Sequence, residues 1–289
     1  MKKIIIVLII AASGIFRAGA QVASFPFRFE YNEIVIDARF KGSEPMPFIF
    51  DTGSVGACSI DSATAEKLGI KNEDRHIESV AGSGGTANYI VATNQVISLP
   101  GAELKGINLT LVNFDGLSRA IGHKIQGIIG DDLMHNYVTQ VDFDQKRMKL
   151  YRSITNVDTS GYTGVSFDYY KGVTLARFPI FIKLANDEIF TGKVMFDSGN
   201  ATTLLVSTPF SMFHNFDNKL GDTVLIGGRG LAAETVDKLA VINSMSFNGF
   251  DFGKMMIKLT VNPQAKPAEG YLGILGIDII KRFNLILVR

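Results

Sequence analysis

The chain has one cysteine and no tryptophan. It also has no block of basic residues and no apolar stretch of the length that crosses a bilayer. Each gap removes a class of protein. A lone thiol cannot close an intramolecular disulfide. Cys58 lies in Val55-Gly56-Ala57-Cys58-Ser59-Ile60 with no histidine nearby in sequence, so it reads as a buried inert thiol and not as a nucleophile. The four histidines, His76, His123, His135 and His214, form no His-Glu-x-x-His and no helical ligand pair, so no metal is expected. No Gly-x-Ser-x-Gly elbow is present, which removes the serine-hydrolase reading. The glycines at 82–85 and 227–230 open no helix in a βαβ context, so they are not dinucleotide loops and no cofactor is expected. Without a basic patch, nucleic acid and anionic membrane are poor partners.

What the chain does have is apolar bulk. With 289 residues and 46% hydrophobic content it can fill two ordinary lobes or one large β domain. The first twenty residues read as an export signal: Met1-Lys2-Lys3, thirteen nearly all apolar residues from 4 to 16, then Arg17-Ala18-Gly19-Ala20 as a cleavage site before Gln21. Thirteen is short of the ~20 residues a spanning helix needs, though an uncleaved anchor is the alternative. No cysteine follows the cleavage site, so a lipid anchor is not expected. Cleavage would remove Lys2, Lys3 and Arg17 and no acid, leaving 26 basic residues of 29 against 28 acidic ones, a net charge near −2. The expected location is the periplasm or the medium, with no stable membrane insertion afterwards.

Two tripeptides organise the rest. Asp51-Thr52-Gly53 follows Pro47-Phe48-Ile49-Phe50, and Asp197-Ser198-Gly199 follows Lys193-Val194-Met195-Phe196. The aspartates are 146 positions apart, and other features recur at that offset. Ile34 and Ile36 meet Ile180 and Ile182, Gly82 meets Gly228, and Gly127-Ile128-Ile129-Gly130 meets Gly273-Ile274-Leu275-Gly276. Matches that fall on Gly, Asp and apolar positions indicate two units that fold alike.

Within each unit the pattern is mostly β. Residues 33–36 alternate as a half-buried strand, residues 41–45 turn, and residues 46–50 form an apolar strand ending at Asp51. Residues 180–184, 186–188 and 192–196 repeat this plan. Asp61 reads as the N-cap and Gly69 as the stop of a short helix, and Ser207 with Pro209 opens its counterpart. Asp132 and Asp278, just past the glycine segments, read as helix N-caps. Residues 80–86 are Gly-rich and sit between strand-like runs, so a mobile hairpin is expected. Residues 141–151 read as a hairpin with a charged turn, and residues 152–176 as a surface connection.

Two carboxylates close together cannot both ionise easily, so such a pair holds one proton between them. The ionised member can take a proton from water while the other polarises a carbonyl. Gly53 and Gly199 allow the tight turns. Thr52 and Ser198 offer short hydroxyls, and Ser54 and Asn200 can donate to the carboxylates.

An apolar-apolar-Asp-Thr/Ser-Gly turn, an apolar-apolar-Gly segment 76 residues later in both units, and a Gly-rich hairpin between them resemble the pepsin-like and retropepsin-like aspartic peptidases. The short units and the helix after the first turn look more like the bacterial retropepsin-like members. The resemblance spans roughly residues 29–289. It implies an all-β, bilobal acid-protease fold of two pseudo-symmetric antiparallel lobes: residues 1–20 as signal, 21–151 as the first lobe, 152–176 as the connection and 177–289 as the second lobe. It implies Asp51 and Asp197 as the catalytic pair around one water, Thr52 and Ser198 as a mutual grip between lobes, and Gly82, Ser83, Gly84, Gly85 and Thr86 as a substrate-binding flap. The substrate would be a peptide or protein, and one chain carrying both half-sites would act as a monomer. A non-cleaving peptide-binding protein on the same fold is the other reading. Ser198 stands for the usual Thr, Asn200 stands for the usual Ser or Thr, and Tyr89 is no secure match for a flap tyrosine. No long pro-segment precedes the first strand, so activation by its removal is not expected.

Overall fold

A computed structural model describes residues 2–7, 21–54, 58–70, 75–82, 85–169, 176–229 and 234–289. Strands take up 52% of the chain and helices 14%. That strand share is far above the usual quarter, and the fold is all-β as the alternating runs implied. The chain divides into two compact units: residues 1–80, 87–167 and 281–289 form the first, and residues 81–86 and 168–280 the second. Among the described residues no helix is long and apolar enough to cross a membrane.

The first unit holds an eight-stranded sheet. Its order is Arg28–Glu30, Glu33–Phe40, Met46–Phe50, Gly127–Ile129, Cys58–Asp61, Ala102–Val112, Gly85–Leu99 and Arg75–Gly82. Ile34, Ile36, Phe40, Phe48, Phe50 and Ile60 are fully buried. With no tryptophan, phenylalanine and isoleucine supply the bulk, at about 1.5–3 kcal/mol per buried side chain. The sheet is mixed and not purely antiparallel. Gly127–Ile129 runs parallel to Met46–Phe50, and Cys58–Asp61 parallel to Ala102–Val112. Parallel alignment brings the glycine segment to the same end of the sheet as Asp51. The last two strands of the order, Arg75–Gly82 and Gly85–Leu99, are neighbours and flank the Gly-rich tip. Gly82 ends one and Gly85 opens the other, with Thr86 next, while Ser83 and Gly84 lie outside the described residues.

A six-stranded sheet completes the first unit, in the order Thr163–Ser166, Lys2–Val7, Phe283–Leu287, Val138–Asp142, Arg147–Tyr151 and Ala23–Pro26. Here the structure departs from the sequence reading. The C-terminal strand, read as part of the second lobe, pairs antiparallel with Val138–Asp142 of the first unit. Its residues Phe283, Leu285, Ile286 and Leu287 are buried, and an apolar strand of that kind needs partners on both edges. Thr163–Ser166, inside the expected connection, is also a strand of this sheet. Lys2–Val7, inside the expected export signal, runs parallel to both Thr163–Ser166 and Phe283–Leu287. The Val138–Asp142 and Arg147–Tyr151 strands form the expected hairpin around a charged turn.

The second unit holds a ten-stranded mixed sheet. Its hairpin of Ala176–Lys183 and Ile189–Phe196 is the counterpart of Glu33–Phe40 and Met46–Phe50, but it is longer. Ile36 pairs with Phe48, whereas Phe178 pairs with Val194. Val194 is 146 positions past Phe48, and Phe178 is only 142 past Ile36. The hairpin has gained four residues, with three more pairs in its ladder and a connection two residues shorter. Side chains alternate faces at period two, so a shift of four keeps apolar residues on the same face. That is why Ile180 and Ile182 matched Ile34 and Ile36 in sequence without occupying the same place. Val224–Arg229 and Glu234–Ile242 form the hairpin equivalent to the Gly-rich one, and its tip at 230–233 lies outside the described residues.

The short helices follow their caps. The Asp61 side chain accepts from the Thr64 N–H at 3.1 Å to open Ser62–Lys67, and Gly69 closes it at φ +67°. Ser207 caps Thr208–Phe213, with proline in the first turn. Asp132 does not cap. Gly130 holds the N-cap position of Asp131–Asn136, and Asp132 is one residue inside, accepting from the Cys58 thiol at 3.4 Å. Cys58 is fully buried, and burial beside Asp132 pushes its thiol well above the ordinary range, so it is inert as expected.

The C-terminal strand gives a direct test of this topology. Ile286 is fully buried against Val138 and Tyr151. Ile286→Ala should cost about 2–5 kcal/mol in denaturant unfolding. Amide exchange should then quicken in Val138–Asp142 ahead of Ile189–Phe196; the reverse order would place the strand in the second unit.

Candidate active site

Each aspartate sits just past the end of an apolar strand, where the chain turns. In the first unit the Asp51 N–H donates to the Ile129 carbonyl at 2.9 Å, which ties the turn to the glycine segment. The Gly53 N–H donates to Asp51 Oδ1 at 2.8 Å, and the Ser54 N–H to the Asp51 carbonyl at 3.2 Å. The Asp131 N–H returns to the Ser54 carbonyl at 2.9 Å. The second unit repeats all four bonds. The Asp197 N–H donates to Leu275 at 3.1 Å, Gly199 to Asp197 Oδ1 at 2.9 Å, Asn200 to the Asp197 carbonyl at 3.3 Å, and Ile277 to the Asn200 carbonyl at 2.9 Å. Every donor and acceptor is displaced by 146 positions.

The turn and the glycine segment approach so closely that no side chain fits between them. A Cβ at Gly130 would lie 2.2 Å from the Ser54 carbonyl oxygen, and one at Gly276 would lie 2.3 Å from that of Thr202. Glycine is required there by contact with backbone, which cannot move aside as a side-chain tip could.

The residues expected to hold the carboxylates divide. Gly53 and Gly199 donate to them through the backbone. Thr52 and Ser198 are buried. The Asn200 carboxamide oxygen accepts from the Thr202 hydroxyl, so the residue that departs from the usual Ser or Thr braces its own turn. The sequence reading assigned the grip on the carboxylate to the residue after glycine and overlooked the glycine N–H itself. An Asx-type turn, in which an Asp side chain accepts from the N–H two residues on, was the available signal.

Three further residues near the aspartates went unread. Tyr271 lies on the second glycine strand, with the Arg177 guanidinium over its ring at 4.5 Å. Burial, and to a lesser degree the Asp197 charge, push its phenol up to about 12 against the opposing Arg177. Glu33 is the third. It opens the run expected to be half-buried, yet it is 3% exposed, and the strand is covered on both faces from Glu33 to Ile36. Burial first, and the Asp51 charge second, push its carboxyl up to about 8.

Residues 36–133 match the aspartyl protease family. The match runs from the first hairpin through the Asp51 turn to the helix after Gly130, so the frame just described in the first unit is that of a protease-like domain. No curated protein matches the chain. The second unit lies outside the match and carries the same four bonds.

Two outcomes follow. Gly130→Ala and Gly276→Ala should each destabilise the protein by about 1–3 kcal/mol in denaturant titration, whereas alanine at the open Gly164 should change little. For Glu33, the folded state keeps its proton between pH 4.5 and 8 while the unfolded chain has released it. Stability therefore falls as pH rises through that window, and Glu33→Gln should remove the fall, a gain of about 3–5 kcal/mol at pH 8.5 and little at pH 4. Equal stability of the two proteins at pH 8.5 would contradict the burial of an acid at this position.

Proposed function

We propose that the chain is an aspartic endopeptidase in which Asp51 and Asp197 activate one water between them. The observation that supports this most is the fourfold hydrogen-bond frame repeated at both aspartates, one of them inside the aspartyl protease match. Within each frame one backbone N–H, that of Gly53 or Gly199, bonds the carboxylate and orients it, which a reaction by positioned proton transfer requires.

In this reading the ionised carboxylate takes a proton from water as the water oxygen bonds to the peptide carbonyl carbon. The protonated partner donates to the carbonyl oxygen, giving a neutral gem-diol with no covalent enzyme intermediate. The carboxyl that took the water proton then gives it to the amide nitrogen while the other carboxylate takes a proton from a gem-diol hydroxyl, so the C–N bond breaks to an acid and an amine. Thr52 and Ser198, buried beside the aspartates, would grip each other across the two halves. The hairpin at residues 82–86 would cover an extended peptide bound by strand-like hydrogen bonds, with side chains pocketed alternately. The protein would work as an exported monomer, with Gln21 as its mature N-terminus. Release of residues 1–20 would then uncover the facing edges of Thr163–Ser166 and Phe283–Leu287.

A mixed peptide library digested across pH, with and without a statine-type inhibitor, tests this reading. Cleavage that the inhibitor blocks is expected, and Asp51→Asn or Asp197→Asn should abolish it without loss of fold by circular dichroism. Full activity in either variant removes the mechanism. Saturable peptide binding without turnover at any pH would instead make the protein a peptide-binding relative. N-terminal sequencing of secreted material should begin at Gln21, and a start at Met1 would remove the export reading.

A further inference from the structure

The clamp in the first unit has a fastening that its counterpart lacks. Two acids follow Gly130, and both are engaged. Asp132 accepts from the Cys58 thiol at 3.4 Å, and the Asp131 carboxylate pairs with the Arg289 guanidinium. The strand pairing explains how Arg289 arrives there. Leu287 pairs with Thr139 in an antiparallel ladder, and the helix Asp131–Asn136 leads through Tyr137 into that same strand. Chain running on past Leu287 therefore passes the start of Val138–Asp142 and comes back towards the helix. Arg289 meets the first helical residue, Asp131, whose N–H donates to the Ser54 carbonyl at 2.9 Å.

Asp131 thus joins Arg289 through its side chain to the Asp51 turn through its backbone. The pair is largely withdrawn from water: the Asp131 side chain is 12% exposed and that of Arg289 19%. Exposed ion pairs contribute little, but loss of one partner from a withdrawn pair leaves a charge with neither water nor a counter-ion. Arg289 is the one cation paired with Asp131 among the described residues. The second unit keeps the backbone bonds and drops the charges. Ile277 stands 146 positions past Asp131 and Leu204 stands 146 past Cys58, and both are fully buried. Apolar burial has no direction of its own, whereas a guanidinium fork meets a carboxylate in a set geometry.

We propose that Arg289 is a positioning residue of the first half-site. Through the Asp131 carboxylate it fixes the start of the helix, and with it the N–H that fastens the Asp51 turn. The effect on turnover rests on the peptidase reading, and the fastening itself does not. One clamp is then set by charge and the other by packing, so a single substitution loosens the first alone.

Amide exchange in the full chain tests the fastening without any assay of activity. Asp131 and Ile277 donate the equivalent bonds of the two clamps, so each is the other's control. In Arg289→Met, exchange at Asp131 should quicken about tenfold more than at Ile277. Arg289→Lys, which keeps the charge without the fork, should recover part of the protection. Equal quickening at both amides means general loosening and overturns the proposal, as does an unchanged Asp131 amide. Kinetics test the consequence. Arg289→Met should lower kcat on the order of tenfold with KM within about twofold, since orientation and not peptide binding is lost. Adding Asp131→Asn to Arg289→Met should cost little more, because a pair that acts as a unit is lost with either member. Additive losses overturn the proposal, and so does an unchanged kcat in an Arg289→Met protein whose Asp131 amide has lost protection. Absence of turnover in the unaltered protein would instead count against the peptidase reading, while the exchange comparison still decides the fastening.

Discussion

The structure around each aspartate depends on one contact, the meeting of the turn with the backbone after the glycine segment. At Gly130 and Gly276 there is no room for a Cβ. That closeness lets the aspartate N–H reach the carbonyl before the glycine, and lets the N–H after the glycine return to the turn. Two hydrogen bonds, one on each side of the glycine, hold the turn like a clamp. The carboxylate orientation then follows from the Gly53 or Gly199 N–H. Each such bond contributes only about 1–3 kcal/mol, since one partner is charged. The gain lies in direction: a carboxylate fixed by backbone cannot swing away as its proton comes and goes.

The parallel strands gain their purpose from the same contact. Gly127–Ile129 and Tyr271–Leu275 run parallel to the strands that end in Asp51 and Asp197. An antiparallel partner would deliver its glycine to the opposite end of the sheet. The mixed character of the sheets therefore belongs to the site. It also explains why the 146-residue offset is kept strictly from the aspartates to the glycine segments while the hairpins before them differ in length. Hairpin arms can lengthen in pairs without disturbing the clamp.

Much of this was legible in the chain. Apolar runs ending in Asp-Thr-Gly and Asp-Ser-Gly, repeated with their glycine partners at one offset, pointed to the fold class and to the two turns. The misses have physical causes. Glu33 looked like the polar phase of an alternating strand, because alternation cannot reveal that a second layer covers the outer face. Asp132 looked like a cap because an acid after glycine usually is one, yet the glycine itself took the cap position. The C-terminal strand was assigned by its place in the repeat, while strand pairing follows whichever apolar edge is open. Local pattern carried the turns, and long-range pairing decided the rest.

The halves are alike in backbone and unlike in electrostatics. The Asp51 charge adds to the burial that raises the Glu33 carboxyl, whereas the Asp197 charge acts on Tyr271, which lies under Arg177. Duplicated backbone with diverged surroundings is what the proposed reading asks of two carboxylates that would share one proton. The central claim is that both act on the same water. An experimental structure with a statine-type inhibitor bound measures this most directly. The account predicts that the inhibitor hydroxyl, standing where that water would be, lies within hydrogen-bond distance of carboxylate oxygens from both Asp51 and Asp197. A hydroxyl that touches one aspartate and leaves the other out of reach would contradict it.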